Sequence, residues 1–241
     1  MPFEKTAAQE QQNLERRIIG IYRKGSEVPE ETQSREFNGI ILNGAYALVS
    51  WHTTIHLSKQ NTEHLSFITS PQDANKDLKD YFGMDSYGNQ FLFDGLFYFA
   101  DPSIDIALLR FGTKKDGYNS LLRLNEARIG ESIEILSQGE NKVLRRSGTL
   151  IGASSKQKVV FPDGKLLKWK RVLTTDVNGE MGDCGSAVVN AYGDLLGYVS
   201  YGGVDKNLDA KKRVMLGGPR AINIIYFLYK CLDSKEDKYC L

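Results

Sequence analysis

Short apolar runs separated by polar turns set the pattern of this chain. Ile18-Ile19-Gly20-Ile21, Ile40-Ile41-Leu42, Ala45-Tyr46-Ala47-Leu48-Val49 and Ile106-Ala107-Leu108-Leu109 are strand-length rather than helix-length. Asn43-Gly44, between the second and third runs, is the dipeptide of a type I′ hairpin turn. The second half repeats the grammar: residues 132–136, 148–152, 158–161, 166–175, 186–190 and 195–201 read as strands. Pro162-Asp163-Gly164 and residues 191–194 supply turns. Residues 64–70 read as another short strand and 91–100 are rich in aromatics, whereas 71–90 read as a polar surface excursion. Helical pattern is confined to the two ends. Residues 6–17 are strong helix formers with Thr6 as N-cap, and Ala221, Ile224, Ile225, Leu228 and Leu232 share one face of a second helix over 221–232. Strands never alternate with helices, which argues against a parallel doubly wound sheet. The pattern predicts an all-β protein of packed antiparallel barrels.

Composition narrows the class. The 241 residues suit one large all-β domain or two small ones. Lys+Arg number 31 against 30 Asp+Glu, so no global charge draws the chain to nucleic acid or a membrane. No apolar run reaches membrane-spanning length, and the opening Met-Pro-Phe-Glu-Lys-Thr has no signal-peptide core. Three cysteines (Cys184, Cys231, Cys240) form no disulfide framework, which points to a reducing, intracellular and cytoplasmic setting. Too few Cys and His residues stand at ligand spacing to suggest a metal, and no cofactor motif occurs.

One stretch carries candidate chemistry. Gly182-Asp183-Cys184-Gly185-Ser186 runs into the apolar Ala187-Val188-Val189, a tight loop entering a buried strand. A thiol flanked by glycine N–H groups has what acyl transfer needs: a nucleophile and donors for the oxyanion. The bland reading is a cysteine packed as a small hydrophobe at a strand start. A thiol nucleophile needs a base, and there are three histidines to choose from, His52, His56 and His64. His52 stands just past an apolar strand, where side chains reach a cleft. Asp105 stands at the entrance of the run Ile106–Phe111, where a carboxylate needs a partner such as a histidine ring. Asp101, before Pro102, suits a turn cap better.

In this order the segments resemble the chymotrypsin-like proteases with a cysteine nucleophile, the group that includes viral 3C-like enzymes. Leu48-Val49-Ser50-Trp51-His52-Thr53 resembles the segment of the catalytic histidine, Asp105-Ile106-Ala107-Leu108-Leu109 that of the acid, and Gly182-Asp183-Cys184-Gly185-Ser186 the nucleophile loop. Leu196-Gly197-Tyr198-Val199-Ser200-Tyr201-Gly202 resembles the strand lining the substrate cleft. The resemblance implies two six-stranded barrels: an N-terminal helix over 1–17, a first barrel over 18–115 with His52 and Asp105, and a second barrel and C-terminal helix over 116–241 with Cys184. It implies Cys184 as nucleophile, His52 as base and acid, Asp105 as orienting acid, and the N–H groups of Gly182 and Cys184 as oxyanion hole. A polypeptide substrate would lie along Ser200, Tyr201 and Gly202, with Asn178 at the base of the specificity pocket.

Departures from the family matter as well. Thr53 stands where secreted relatives carry a disulfide cysteine, and no histidine in Gly197-Tyr198-Val199 selects glutamine as in the 3C-like branch. Arg17 before Ile18-Ile19-Gly20 looks like a zymogen cleavage site, or else a helix simply handing over to a strand. Three other readings stay open: a catalytically silent binding module, a serine enzyme whose nucleophile was replaced by Cys184, and weak RNA binding through Lys165–Arg171, a basic run that is also the pattern of a solvated hairpin face.

Overall fold

The computed structural model describes residues 13–24, 35–55, 78–98, 105–113, 117–118, 122–140, 142–160, 166–177, 182–204 and 213–219. Twelve strands and one short helix are named within them: β1 Ile18–Arg23, β2 Phe37–Asn43, β3 Tyr46–Ser50, α1 Trp51–Ile55, β4 Tyr81–Asp85, β5 Gln90–Tyr98, β6 Ile106–Phe111, β7 Ser132–Gln138, β8 Val143–Val160, β9 Leu166–Thr175, β10 Ala187–Asn190, β11 Leu195–Val204 and β12 Arg213–Pro219. They close into two antiparallel barrels of six strands, in the order β1-β2-β3-β6-β5-β4 and β7-β8-β9-β12-β11-β10. Closure pairs the first and last strand of each order, so an edge stays open only where a strand runs on past its partner.

The near-continuous apolar runs have a simple cause: both of their faces are buried. Side chains alternate across a strand. Ile19, Ile21, Ile41, Ala47, Val49, Ala107 and Leu109 therefore fill the first barrel, with Phe91, Phe93 and Phe111. Their neighbours Ile18, Ile40, Leu42, Leu48, Ile106 and Leu108 point the other way and meet Leu136, Ala187, Val189, Leu195 and Tyr198 of the second barrel. Val188, Leu196 and Val199 alternate in turn into the second barrel's own core, with Ile133, Ile135, Leu150 and Leu173. Burying a large aliphatic side chain contributes about 1.5–3 kcal/mol, so this middle layer holds the barrels firmly together.

Several sequence expectations change. The polar excursion expected over 71–90 contains β4, because Tyr81 packs into the first barrel and Phe82 is buried on the other face against Tyr22, although polar residues precede them. The hairpin turn falls on Gly44-Ala45 rather than Asn43-Gly44, since Asn43 pairs with Tyr46 after a bulge. The strands expected over 148–152 and 158–161 are one strand, β8. β12 had no clear apolar alternation, and α1 breaks the expectation of helices only at the ends. Of the N-terminal helix, residues 13–15 are helical; its earlier part, the C-terminal helix and the strand expected over 64–70 lie outside the described residues. Buried Arg17 donates from Nη1 to the carbonyls of Ile41 (3.2 Å) and Leu42 (2.9 Å), and its own carbonyl accepts from Ile41 N–H (2.8 Å). That is a handover into β1, with the Arg17–Ile18 bond inside the fold.

Candidate active site

The site is assembled where the barrels meet. β3 ends in buried Ser50, whose carbonyl accepts from Thr53 Oγ1 at 2.6 Å and whose hydroxyl donates to the Val199 carbonyl of the other barrel at 3.1 Å. The chain turns there into α1, and His52 sits in its first turn. Asp105 immediately precedes β6 and is buried. Its carboxylate takes the His52 backbone N–H at 2.9 Å and lies 3.1 and 3.0 Å from His52 Nδ1. The residue has φ of 54°, a left-handed conformation that few non-glycine residues adopt, although Asp tolerates it. The buried Tyr198 hydroxyl of the second barrel donates to its carbonyl and braces it.

With Asp105 on Nδ1, the other ring nitrogen is left for the Cys184 side chain, which acts on the same ring. Burial works against charge on the ring. Asp105, by charge and hydrogen bond, and then Cys184 outweigh it and raise the His52 pKa to about 10. Burial, then the Asp105 charge, push the Tyr198 phenol well above its usual range, so it stays a donor.

Cys184 is a free, half-buried thiol whose sulfur lies 3.3 Å from the Ser200 carbonyl oxygen, an acceptor for its single hydrogen. The loop around it depends on two left-handed glycines, Gly182 (φ 86°) and Gly185 (φ 85°). A Cβ on Gly185 would lie 1.8 Å from the Asn38 carbonyl oxygen, so no other residue fits. The Asp183 carbonyl turns inward and accepts from Ser186 N–H at 2.9 Å. A trans peptide points its N–H opposite its carbonyl, so the Cys184 N–H turns outward, as an oxyanion donor must. The Gly185 N–H is already committed to Val199 at 2.7 Å.

The structure thus brings His52, Asp105 and Cys184 together and places Gly182 in the same loop. Ser200, Tyr201 and Gly202 lie on β11, where Tyr201 and Gly202 pair with β12. Past Val199, the opposite edge of β11 has no strand partner among the described residues. Asn178, His56, His64 and Asp101 lie outside the described residues. Among the described residues, no cluster of His, Cys, Asp or Glu could hold a metal ion, and no helix is long and apolar enough to cross a membrane.

Sequence reasoning passed over three supports. Asn38 donates through its backbone to Cys184 O (2.7 Å) and through Nδ2 to Gly182 O (2.7 Å) and Ser186 Oγ (3.0 Å). Tyr198 braces Asp105. Buried Asp183 pairs with Arg146 at 2.7 Å, lies 3.8 Å from Arg35 and accepts from Ser137 Oγ at 3.2 Å. The signal for Asn38 was an amide in an otherwise apolar strand, which has to be satisfied by something.

No family model matches the sequence, and no curated protein does. Among solved structures, the crystal structure of the MamO protease domain from Magnetospirillum magneticum, in its apo form, superposes with a TM-score of 0.60 at 16% identity, covering 89% of this chain and 97% of that one. Two closed six-stranded antiparallel barrels packed face to face, together with this superposition, establish that the chain has the chymotrypsin-like fold.

Proposed function

We propose that this protein is a chymotrypsin-like cysteine endopeptidase, of the kind to which viral 3C-like enzymes belong, acting on a polyprotein or other polypeptides in a reducing, intracellular compartment. One observation carries the reading: Asp105 engages His52 Nδ1 at 3.0 Å, and Cys184 of the other barrel acts on the same ring, raising its pKa. Asp105 holds the tautomer in which Nδ1 bears hydrogen, so Nε2 takes the thiol proton. The thiolate attacks the scissile carbonyl, and the oxyanion forms against the N–H groups of Cys184 and Gly182. The C–N bond then breaks as His52 returns its proton to the leaving amine, giving a thioester. Water, deprotonated by His52, attacks the thioester, and the acid departs as the thiol is restored. The open edge of β11 at residues 200–202 suits a substrate strand.

A peptide-library cleavage profile, with Cys184→Ala as control, tests this reading. Expected are defined cut sites that vanish in the variant, inhibition by iodoacetamide and none by EDTA. An active Cys184→Ala variant, or loss of activity with EDTA alone, overturns it.

RNA binding is a second reading, favoured by one register. Lys156 pairs with Lys170 and Lys158 with Lys168 where β8 and β9 run on together. A register that sets lysines opposite one another concentrates positive charge along a strand pair, as phosphate binding needs. Such binding weakens steeply with salt; salt-independent or absent retention of single-stranded RNA would dismiss it.

A further inference from the structure

Asn38 belongs to the first barrel, yet most of its polar capacity is spent on the nucleophile loop of the second. The residue is fully buried. Its N–H holds the Cys184 carbonyl at 2.7 Å and its Nδ2 holds the Gly182 carbonyl at 2.7 Å and Ser186 Oγ at 3.0 Å. Its Oδ1 accepts the Gln138 backbone N–H at the end of β7 at 2.9 Å. Between these anchors, Ser186 N–H holds the Asp183 carbonyl. Three successive peptide planes, those following Gly182, Asp183 and Cys184, are fixed in this way, the first and third by Asn38. The contact has no slack, because the Asn38 carbonyl occupies the space that a Cβ on Gly185 would need.

We infer that Asn38 is the positioning residue of the nucleophile loop, clamping the peptide planes on both sides of the Asp183–Cys184 peptide and so holding the Cys184 N–H in oxyanion-binding orientation only when the two barrels are docked. The inference deepens the peptidase reading and rests on it. An amide is required for a stated reason: one side-chain carbon must present a donor to Gly182 O and Ser186 Oγ and an acceptor to Gln138 N–H. Aspartate keeps the shape and the acceptor but sets a charged oxygen against the Gly182 carbonyl. Alanine removes both functions and leaves buried polar groups unsatisfied.

The test compares Asn38→Asp and Asn38→Ala with wild type, with rates referred to the folded fraction of each. A misplaced oxyanion donor costs on the order of a hundredfold, so kcat falls by about that factor while KM changes little. Alkylation of Cys184 by iodoacetamide, which needs the thiol and His52 but no oxyanion hole, keeps close to its wild-type rate. Amide hydrogen exchange at Gly185 and Ser186 accelerates, while Ile41 and Val188 in the barrels stay protected. In Asn38→Asp, kcat relative to wild type recovers as the pH falls through the carboxyl range, about 4 or above when buried, because the protonated acid again donates a hydrogen bond. A merely structural role gives no such recovery. Wild-type kcat in Asn38→Asp, or a loss that only tracks the folded fraction, overturns the inference. If Asn38→Ala does not fold, Asn38→Asp decides. If wild type cleaves no peptide, the peptidase reading fails, and exchange at Gly185 and Ser186 in Asn38→Asp decides this inference separately.

Discussion

The two barrels share a strand order, β1-β2-β3-β6-β5-β4 and β7-β8-β9-β12-β11-β10, and each carries a candidate catalytic residue in the link between the third and fourth of its strands along the chain. In the first barrel that link begins with α1 and His52; in the second it holds Cys184. They are held in different ways. His52 is fixed within its own barrel, its backbone and its ring both on the Asp105 carboxylate. The Cys184 loop has two left-handed glycines and takes its carbonyl anchors from Asn38 in the opposite barrel. Asp105 is braced from across the junction as well, by Tyr198. Equivalent places in a repeated topology thus carry unlike supports: side-chain bonds on one side, borrowed backbone geometry on the other. A side chain that must accept and return a proton needs a fixed ring. A loop that must aim N–H groups needs fixed peptide planes.

The difference can be broken from either side. The largest effects come from removing either reacting group: His52→Ala or Cys184→Ala should lower kcat/KM for peptide hydrolysis by about 10⁴-fold with the fold retained, which circular dichroism and steady-state kinetics would check together. Gly185→Ala should follow. Its methyl group has no room beside Asn38 and its φ is unfavourable for alanine, so both activity and thermal stability should drop, the latter by more than about 2 kcal/mol in denaturant unfolding. Wild-type stability in that variant would show the loop to be less tightly borrowed than its contacts indicate.

Asp105→Asn should lower kcat by roughly 10²- to 10⁴-fold, since the amide no longer selects the tautomer. Its effect on stability carries a sign. The His52 pKa is raised from 6.5 to about 10 in the folded state, so the charged pair's stabilisation is fully present below about 6.5 and is lost as the pH rises through about 10. The melting-temperature gap between wild type and Asp105→Asn should therefore shrink between those values; a constant gap would contradict the raised pKa. The smallest effect belongs to Tyr198→Phe, which removes one buried hydrogen bond and should cost about 1 kcal/mol with a modest loss of kcat.

Much of the fold was legible because apolar runs at β1, β2, β3, β6 and β10 are short and β-branched or aliphatic, and each side chain in them is buried on one face or the other. β4 and β12 escaped notice because their alternation is diluted by glycine and polar neighbours, and only closure of the barrel explains them. His52, Asp105 and Cys184 stood out as candidates as well, since a thiol among glycines, a histidine past a strand and an aspartate before one are each unusual for their surroundings. Asn38, Tyr198 and the Asp183–Arg146 pair did not. Each acts on a residue far away in the chain, and no local pattern encodes a contact of that span.

By itself the sequence determined most of the strands, their grouping into antiparallel barrels and the residue types offered for acyl transfer, because alternation, turn chemistry and side-chain chemistry are local properties. Only the tertiary structure decided that the His52 ring stands between Asp105 and Cys184, and that the peptides around Cys184 are aimed by an asparagine of the other barrel. Those are distances and directions between segments distant in sequence, and they exist only once the apolar faces of the two barrels have closed on each other.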